Sequence, residues 1–145
     1  MIRPATFDDV PRLVALGRIM HAESPRFGAL RFDAQILERT LRVAIAEHFA
    51  MVALHDGVVV GGMVALLTPH WFSPDLTACD LALFIDPEYR GGMAPVRLLH
   101  AYAQWAKASG SRMTLFGVMT AVNTEKTVAL AERLGWRRAG VVMEI

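Results

Sequence analysis

The chain has 145 residues, with 15 Lys and Arg against 14 Asp and Glu and a hydrophobic share of 54%. That length suits one domain, 1–145, with a sizeable core, and the apolar content excludes a disordered chain. A formal charge of +1 gives no net drive toward nucleic acid or an anionic membrane, and the longest apolar run, Val58 to Leu67, falls short of the ~18 residues of a membrane-spanning helix. The lone Cys79 cannot form an internal disulfide and the opening residues lack a secretory apolar core, so a reducing, cytoplasmic setting is expected.

Ile2 to Pro4 reads as a short strand, followed by a helix start at Thr6-Phe7-Asp8-Asp9, where a capping hydroxyl and two carboxylates suit the positive helix end. Val10, Leu13, Val14 and Leu16 keep helical spacing until Ser24-Pro25 and Gly28 break it. Asp33 caps a second helix through Ile36, Leu37, Leu41, Ala44 and Ile45. Phe49 to Leu54 and Val58 to Leu67 form a hairpin across Asp56-Gly57, a pair suited to a tight turn. After a loop holding His70, Trp71 and Phe72, a third long strand spans Leu76 to Ile85.

Pro95 fits the first turn of a helix, because its missing N–H has no partner there, and Val96, Leu99, Tyr102, Ala103 and Ala106 give that helix an apolar stripe. Gly110 ends it; Met113 to Val118 reads as a buried strand. Thr124 to Leu134 reads as a helix with Val128, Leu130, Ala131 and Leu134 inward, closed by Gly135, and Trp136 to Ile145 is expected to add one or two strands. The order β-α-α-β-β-β-α-β-α-β predicts an α/β (α+β) mixed sheet with helices packed on it.

The junction Ile85-Asp86-Pro87-Glu88-Tyr89-Arg90-Gly91-Gly92-Met93-Ala94-Pro95 carries the chemistry. It is a strand entering a helix through a glycine-bearing turn, so backbone amides and the helix dipole converge on a place suited to phosphate, with Arg90 beside it. Two glycines before a helix also serve as a plain turn. Metal chemistry has no support, since the five His are dispersed and Cys79 has no thiol neighbour.

The block resembles the acyl-CoA motif Gln/Arg-x-x-Gly-x-Gly/Ala of the GNAT N-acetyltransferase superfamily, which a strand and often Asp-Pro-Glu-Tyr precede. The likeness runs along nearly the whole chain, from Ile2-Arg3-Pro4-Ala5-Thr6 to Leu134-Gly135-Trp136, and Met20-His21-Ala22-Glu23-Ser24 and His70-Trp71-Phe72 are similar to a bacterial and phage branch. Met93 stands where the first motif glycine is expected and Pro95 where the second Gly/Ala belongs, so one amide donor is lost.

The resemblance implies a mixed, mostly antiparallel sheet of six to seven strands with about four helices on both faces. It implies acetyl transfer from acetyl-CoA, as co-substrate, to a primary amine of a small molecule or peptide by direct attack; the alternative is a catalytically silent acyl-CoA-binding or protein-interaction module. Phe84 and Ile85 are implied to pair with pantetheine through their main chain, Arg90, Gly91, Gly92, Met93, Ala94 and Pro95 to hold the diphosphate, and Asn123 to touch pantetheine, a residue that serves equally as a helix cap. The position of the usual acidic Tyr falls on Ala131. For the base, Glu23 stands first, with Asp80, His70 and His21 as competitors. Cys79 reads as a small buried residue, His70-Trp71-Phe72 as an acceptor wall or a packed strand end, and a homodimer is expected to cover a sheet edge.

Overall fold

The structure is a computed structural model describing residues 1–145. Its sheet has five strands in the order β1 (Ile2–Pro4), β2 (Phe49–His55), β3 (Val58–Pro69), β4 (Leu76–Ile85) and β5 (Met113–Leu115). The first four are antiparallel to their neighbours, and β5 joins β4 in parallel. Four α-helices accompany them: α1 (Val10–Glu23), α2 (Ala34–Glu47), α3 (Ala94–Ala108) and α4 (Thr124–Arg133). No helix is long and apolar enough to cross a membrane.

Two apolar clusters form on the sheet. Val10, Leu13 and Leu16 of α1 and Leu41 and Ala44 of α2 pack with Val52, Val64 and Phe84, while Leu98, Leu99, Tyr102 and Ala106 of α3 pack with Phe49, Met63, Ala65 and Ala78. The register shifts between Val64, opposite Ala82, and Ala65, opposite Asp80. A bulge of this kind re-aims the side chains that follow it. Ala78 and Ala82, four residues apart on β4, accordingly fall on opposite faces, Ala78 in the α3 cluster and Ala82 against the α1 cluster.

The hairpin turn forms at Asp56 and Gly57, both at positive φ, 47° and 78°. Asp33 caps α2 by accepting from the Gln35 and Ile36 amides. Gly17 sets the depth of α1, since a Cβ there would meet Leu37 Cδ2 at 2.5 Å and Phe84 Cε1 at 3.4 Å. Arg12 fixes the start of the same helix by donating to the Val59 carbonyl at 2.9 Å and to Asp86 Oδ2 at 2.6 Å.

The expected six to seven strands are five because the one or two expected within Trp136 to Ile145 do not form, and one of the five is shorter than expected. The strand expected at Met113 to Val118 ends at Leu115, because the Leu115 carbonyl accepts the Tyr102 hydroxyl at 2.7 Å and the Gly117 amide donates to Asp80 Oδ1 at 2.7 Å. Side chains take the groups a ladder needs. Trp136 to Ile145 forms no strand: Trp136 stacks on Tyr102 and meets Phe116, and the residues after it make no backbone hydrogen bonds and leave Val141, Val142 and Met143 exposed. Leu134, expected inward, is exposed, since α4 turns only Ala131 fully into the core. Leu98 takes a fully buried place on α3, and Val96 and Ala103 are half-buried.

The entry to α1 is held by Asp9, whose carboxylate receives Arg3 Nη1 and Nη2 at 2.7 and 2.9 Å and the Thr6 amide at 2.8 Å. The Arg3 hydrogen bonds pull its pKa down to about 2. A carboxyl depressed in the folded state stabilises the fold above its unfolded pKa and loses that contribution as pH falls through the folded value. Asp9→Asn is therefore expected to lower stability by about 1–2 kcal/mol at pH 7. Thermal unfolding of both proteins at a series of pH values should show the gap closing toward pH 2; a gap independent of pH would contradict the assignment.

Candidate functional site

Beyond Cys79 and Leu115, the last paired residues of β4 and β5, the two parallel strands part. Asp80 lies at the vertex, its Oδ1 receiving the Gly117 amide from the other arm. β4 continues to Ile85 with a partner only on its β3 side, where Gly62 faces Phe84 and Gly61 faces Ile85. One edge of Leu81 to Ile85 is thus free along the arm of a fork, the arrangement that accepts an extended ligand as an added strand.

Burial pushes the Asp80 carboxyl up to about 6, against the lowering effect of the Gly117 amide. Its neighbour Tyr102, fully buried, is raised by desolvation and by the nearby Asp80 charge. Asp80 is therefore largely ionised at neutral pH yet able to carry a proton slightly below it, the range useful to a group that first takes and then gives one.

At the far end of β4 the chain turns through a short 3-10 segment, Pro87–Tyr89, capped by Asp86, and reaches Gly91 at φ 87°, a conformation that favours glycine. The first intrahelical bond of α3 runs from the Arg97 amide to the Met93 carbonyl. The amides of Gly91, Gly92, Met93, Ala94 and Val96 donate to no backbone carbonyl, and Gly91, Gly92 and Met93 are exposed. The turn is open on the Gly91 side, where a Cβ would touch nothing within 4 Å. Pro95 removes a single donor and leaves its neighbours, so the turn retains its capacity for a diphosphate.

Helix α1 crosses toward this fork and its end braces both arms. The Glu23 carboxylate receives Arg90 Nη1 at 3.1 Å and Nη2 at 2.5 Å on the β4 side. Ser24, 3% exposed, donates to the Thr120 carbonyl at 2.6 Å, and Arg26 donates to the Met119 carbonyl at 3.0 Å on the β5 side. A cavity of about 350 Å³ lies on the β1–β2 side of the glycine turn, reaching Leu54, His55 and Arg97, and one of about 180 Å³ lies on the far arm of the fork between Arg26, Met119 and the Val142–Glu144 tail.

The structure thus gathers Asp80, Phe84, Ile85, the Arg90–Pro95 turn and Glu23 around one fork. Glu23, the leading base candidate, is engaged with Arg90. Phe84 has its ring buried in the α1 cluster, which leaves its main chain as the only part for a ligand. His70 stands apart, in the loop between β3 and β4, where Trp71 and Phe72 are 87% and 72% exposed. Leu76, where β4 begins, precedes Asp80 by about 13 Å of strand. With both rings exposed, that loop is not a packed strand end. Asn123 is exposed at φ 51° and starts α4 without a side-chain cap bond. Cys79 is exposed rather than buried, and partial desolvation of its thiol, with the neighbouring Asp80 charge, raises its pKa, which opposes nucleophilic use. Tyr102, Gly117, Ser24 and Arg26 are site-forming residues that motif reading missed; a buried Tyr always needs a partner for its hydroxyl, and that was the available signal for Tyr102.

The model of the acetyltransferase (GNAT) family matches residues 16–136. The chain belongs to the GNAT family. No curated protein sequence matches it. Among solved structures it is similar to a Trypanosoma brucei acetyltransferase, at 17% identity and a TM-score of 0.73 over 100% of this chain and 97% of that one. A Bacillus halodurans protein has 20% identity and a TM-score of 0.77 over 100% and 98% of the two chains. An aminoglycoside acetyltransferase from an uncultured soil metagenomic sample, solved with sisomicin, has 17% identity and a TM-score of 0.69 over 100% and 94%. At these identities the likeness is one of fold.

A carboxyl raised in the folded state opposes folding once the unfolded chain is ionised, and the opposition grows until pH passes the folded value. Asp80→Asn keeps an oxygen for the Gly117 amide while removing the half-buried charge. In this GNAT protein it is expected to raise the melting temperature by about 3–5 °C at pH 7.5. The gain should be smaller at pH 5, and calorimetry finding a loss at pH 7.5 would contradict the burial argument.

Proposed function

We propose that the protein transfers an acetyl group from acetyl-CoA to a primary amine of a small cationic molecule, with Asp80 moving the proton. The observation that carries this reading is a half-buried carboxyl at the vertex of the β4–β5 fork, held there by the Gly117 amide and raised by desolvation to about 6. The free amides of the glycine turn support diphosphate binding at one end of that fork, and the open edge of β4 supports pantetheine along it. Together they set the thioester toward Asp80.

The free amine bonds through its nitrogen lone pair to the thioester carbon, and the new C–N bond makes the nitrogen acidic. Asp80 accepts that proton. As the C–S bond breaks, the departing thiolate is far more basic than a carboxyl of pKa about 6, so return of the same proton from Asp80 runs downhill. One carboxyl therefore serves as base and acid in turn, which accounts for Ala131 where the family often has a Tyr. The products are an amide and free CoA, and neither metal nor covalent enzyme intermediate is required by the balance.

Sisomicin is bound in one structurally similar acetyltransferase, and polycationic amines fit a site that carries Glu23 toward its mouth and Asp80 at its vertex. Thiol release from acetyl-CoA with a panel of aminoglycosides, polyamines and peptides tests the reading. Turnover is expected with one or more amines, with kcat rising to a plateau through about pH 6. Asp80→Asn should lower kcat about 100-fold or more while binding CoA normally. Full activity of that variant would remove Asp80 from the mechanism, and absence of both turnover and CoA binding would overturn the function.

A further inference from the structure

We infer that Glu23 occupies the place of a diphosphate on Arg90, and that exchange between the two couples acyl-CoA binding to capture of the cationic amine. The inference rests on the acyl-CoA reading above and adds a role for Glu23 other than proton transfer. Arg90 lies at the glycine turn, and its guanidinium is gripped by both Glu23 oxygens, at 3.1 and 2.5 Å. A guanidinium presents the same two-pronged face to carboxylate and to phosphate, so one ligand excludes the other. Its remaining contact, to the Ile85 carbonyl at 3.4 Å, is long.

The pair is breakable because both partners keep about a third of their side-chain surface, 34% for Arg90 and 32% for Glu23. Its release leaves Glu23 held in place. Ser24 and Arg26 anchor the end of α1 to the Thr120 and Met119 carbonyls independently of Arg90. Glu23 is the last residue of α1, at the negative end of the helix dipole, where a carboxylate is disfavoured unless a cation offsets it. Arg90 offsets it in the free protein. Arg26 cannot, since it is engaged by the Met119 carbonyl and Glu144.

When a diphosphate takes Arg90, Glu23 and the helix end are left without their cation at the mouth of the fork. An ammonium group of the acceptor then restores the balance, and a neutral amine gains nothing from it. Binding of nucleotide thus creates the site for a polycation, and by thermodynamic reciprocity the polycation strengthens nucleotide binding. The substrate class selected is an amine carrying a second positive charge beyond the reacting nitrogen.

Titration calorimetry with CoA and with spermidine, on the full chain and its Glu23→Gln and Arg90→Gln variants, tests the exchange. Glu23→Gln is expected to bind CoA about five-fold more tightly, and saturating CoA is expected to tighten spermidine binding about five-fold in the unmodified protein alone. Arg90→Gln should weaken CoA and bind spermidine equally with or without it. Glu23→Ala repeats the read-out without an amide able to hold Arg90. Unchanged or weaker CoA binding by both Glu23 variants, or coupling that survives them, overturns the exchange while leaving the acetyl-CoA reading intact. Absence of CoA binding by the unmodified protein overturns both.

Discussion

The site depends on where the β4–β5 ladder stops. Two side-chain hydrogen bonds decide this: the Tyr102 hydroxyl occupies the Leu115 carbonyl and Asp80 occupies the Gly117 amide. Had those backbone groups paired with β4, the strands would run on together and no fork would open. The arrangement places a carboxylate in surroundings that disfavour its charge, and the same burial that strains the fold brings its proton affinity near neutrality. Stability and chemistry are in opposition at one residue, as is common where a site is built into a sheet.

Everything else around the fork serves to hold its arms at a fixed separation. Arg12 ties the start of α1 to Val59 and Asp86, Gly17 brings the helix close against Phe84, and Ser24 and Arg26 tie the residues after it to the far arm. The helix acts as a strut. Its closing residue Glu23 reaches back to Arg90, so a single element touches the nucleotide-facing turn, the loop beyond β5 and the space where an acceptor must arrive.

Much of this was legible in the residues. Asp56-Gly57 gave a hairpin because both positions take positive φ, Leu76 to Ile85 held its strand, and Gly91 marked a left-handed turn before a helix. Asp80 was legible only as a competitor of Glu23 for the base, on the strength of the family resemblance. Pairings between distant segments were not legible: Glu23 with Arg90 lies across 67 positions and Ser24 with Thr120 across 96. Val141 to Ile145 has the composition of a strand, yet composition does not supply the neighbouring backbone that a strand requires. Cys79 was misjudged for a related reason, since exposure follows from register rather than residue type.

The Gly117 amide reports on the vertex directly, because its hydrogen bond ends on the Asp80 carboxylate. Its proton and nitrogen shifts, followed by NMR from pH 4 to 8, should titrate with a midpoint near 6 and move downfield as the carboxylate ionises. A flat profile would show that Asp80 does not hold the Gly117 amide, and a midpoint below about 4.5 as for an ordinary carboxyl would show that it holds no proton in the range the chemistry requires.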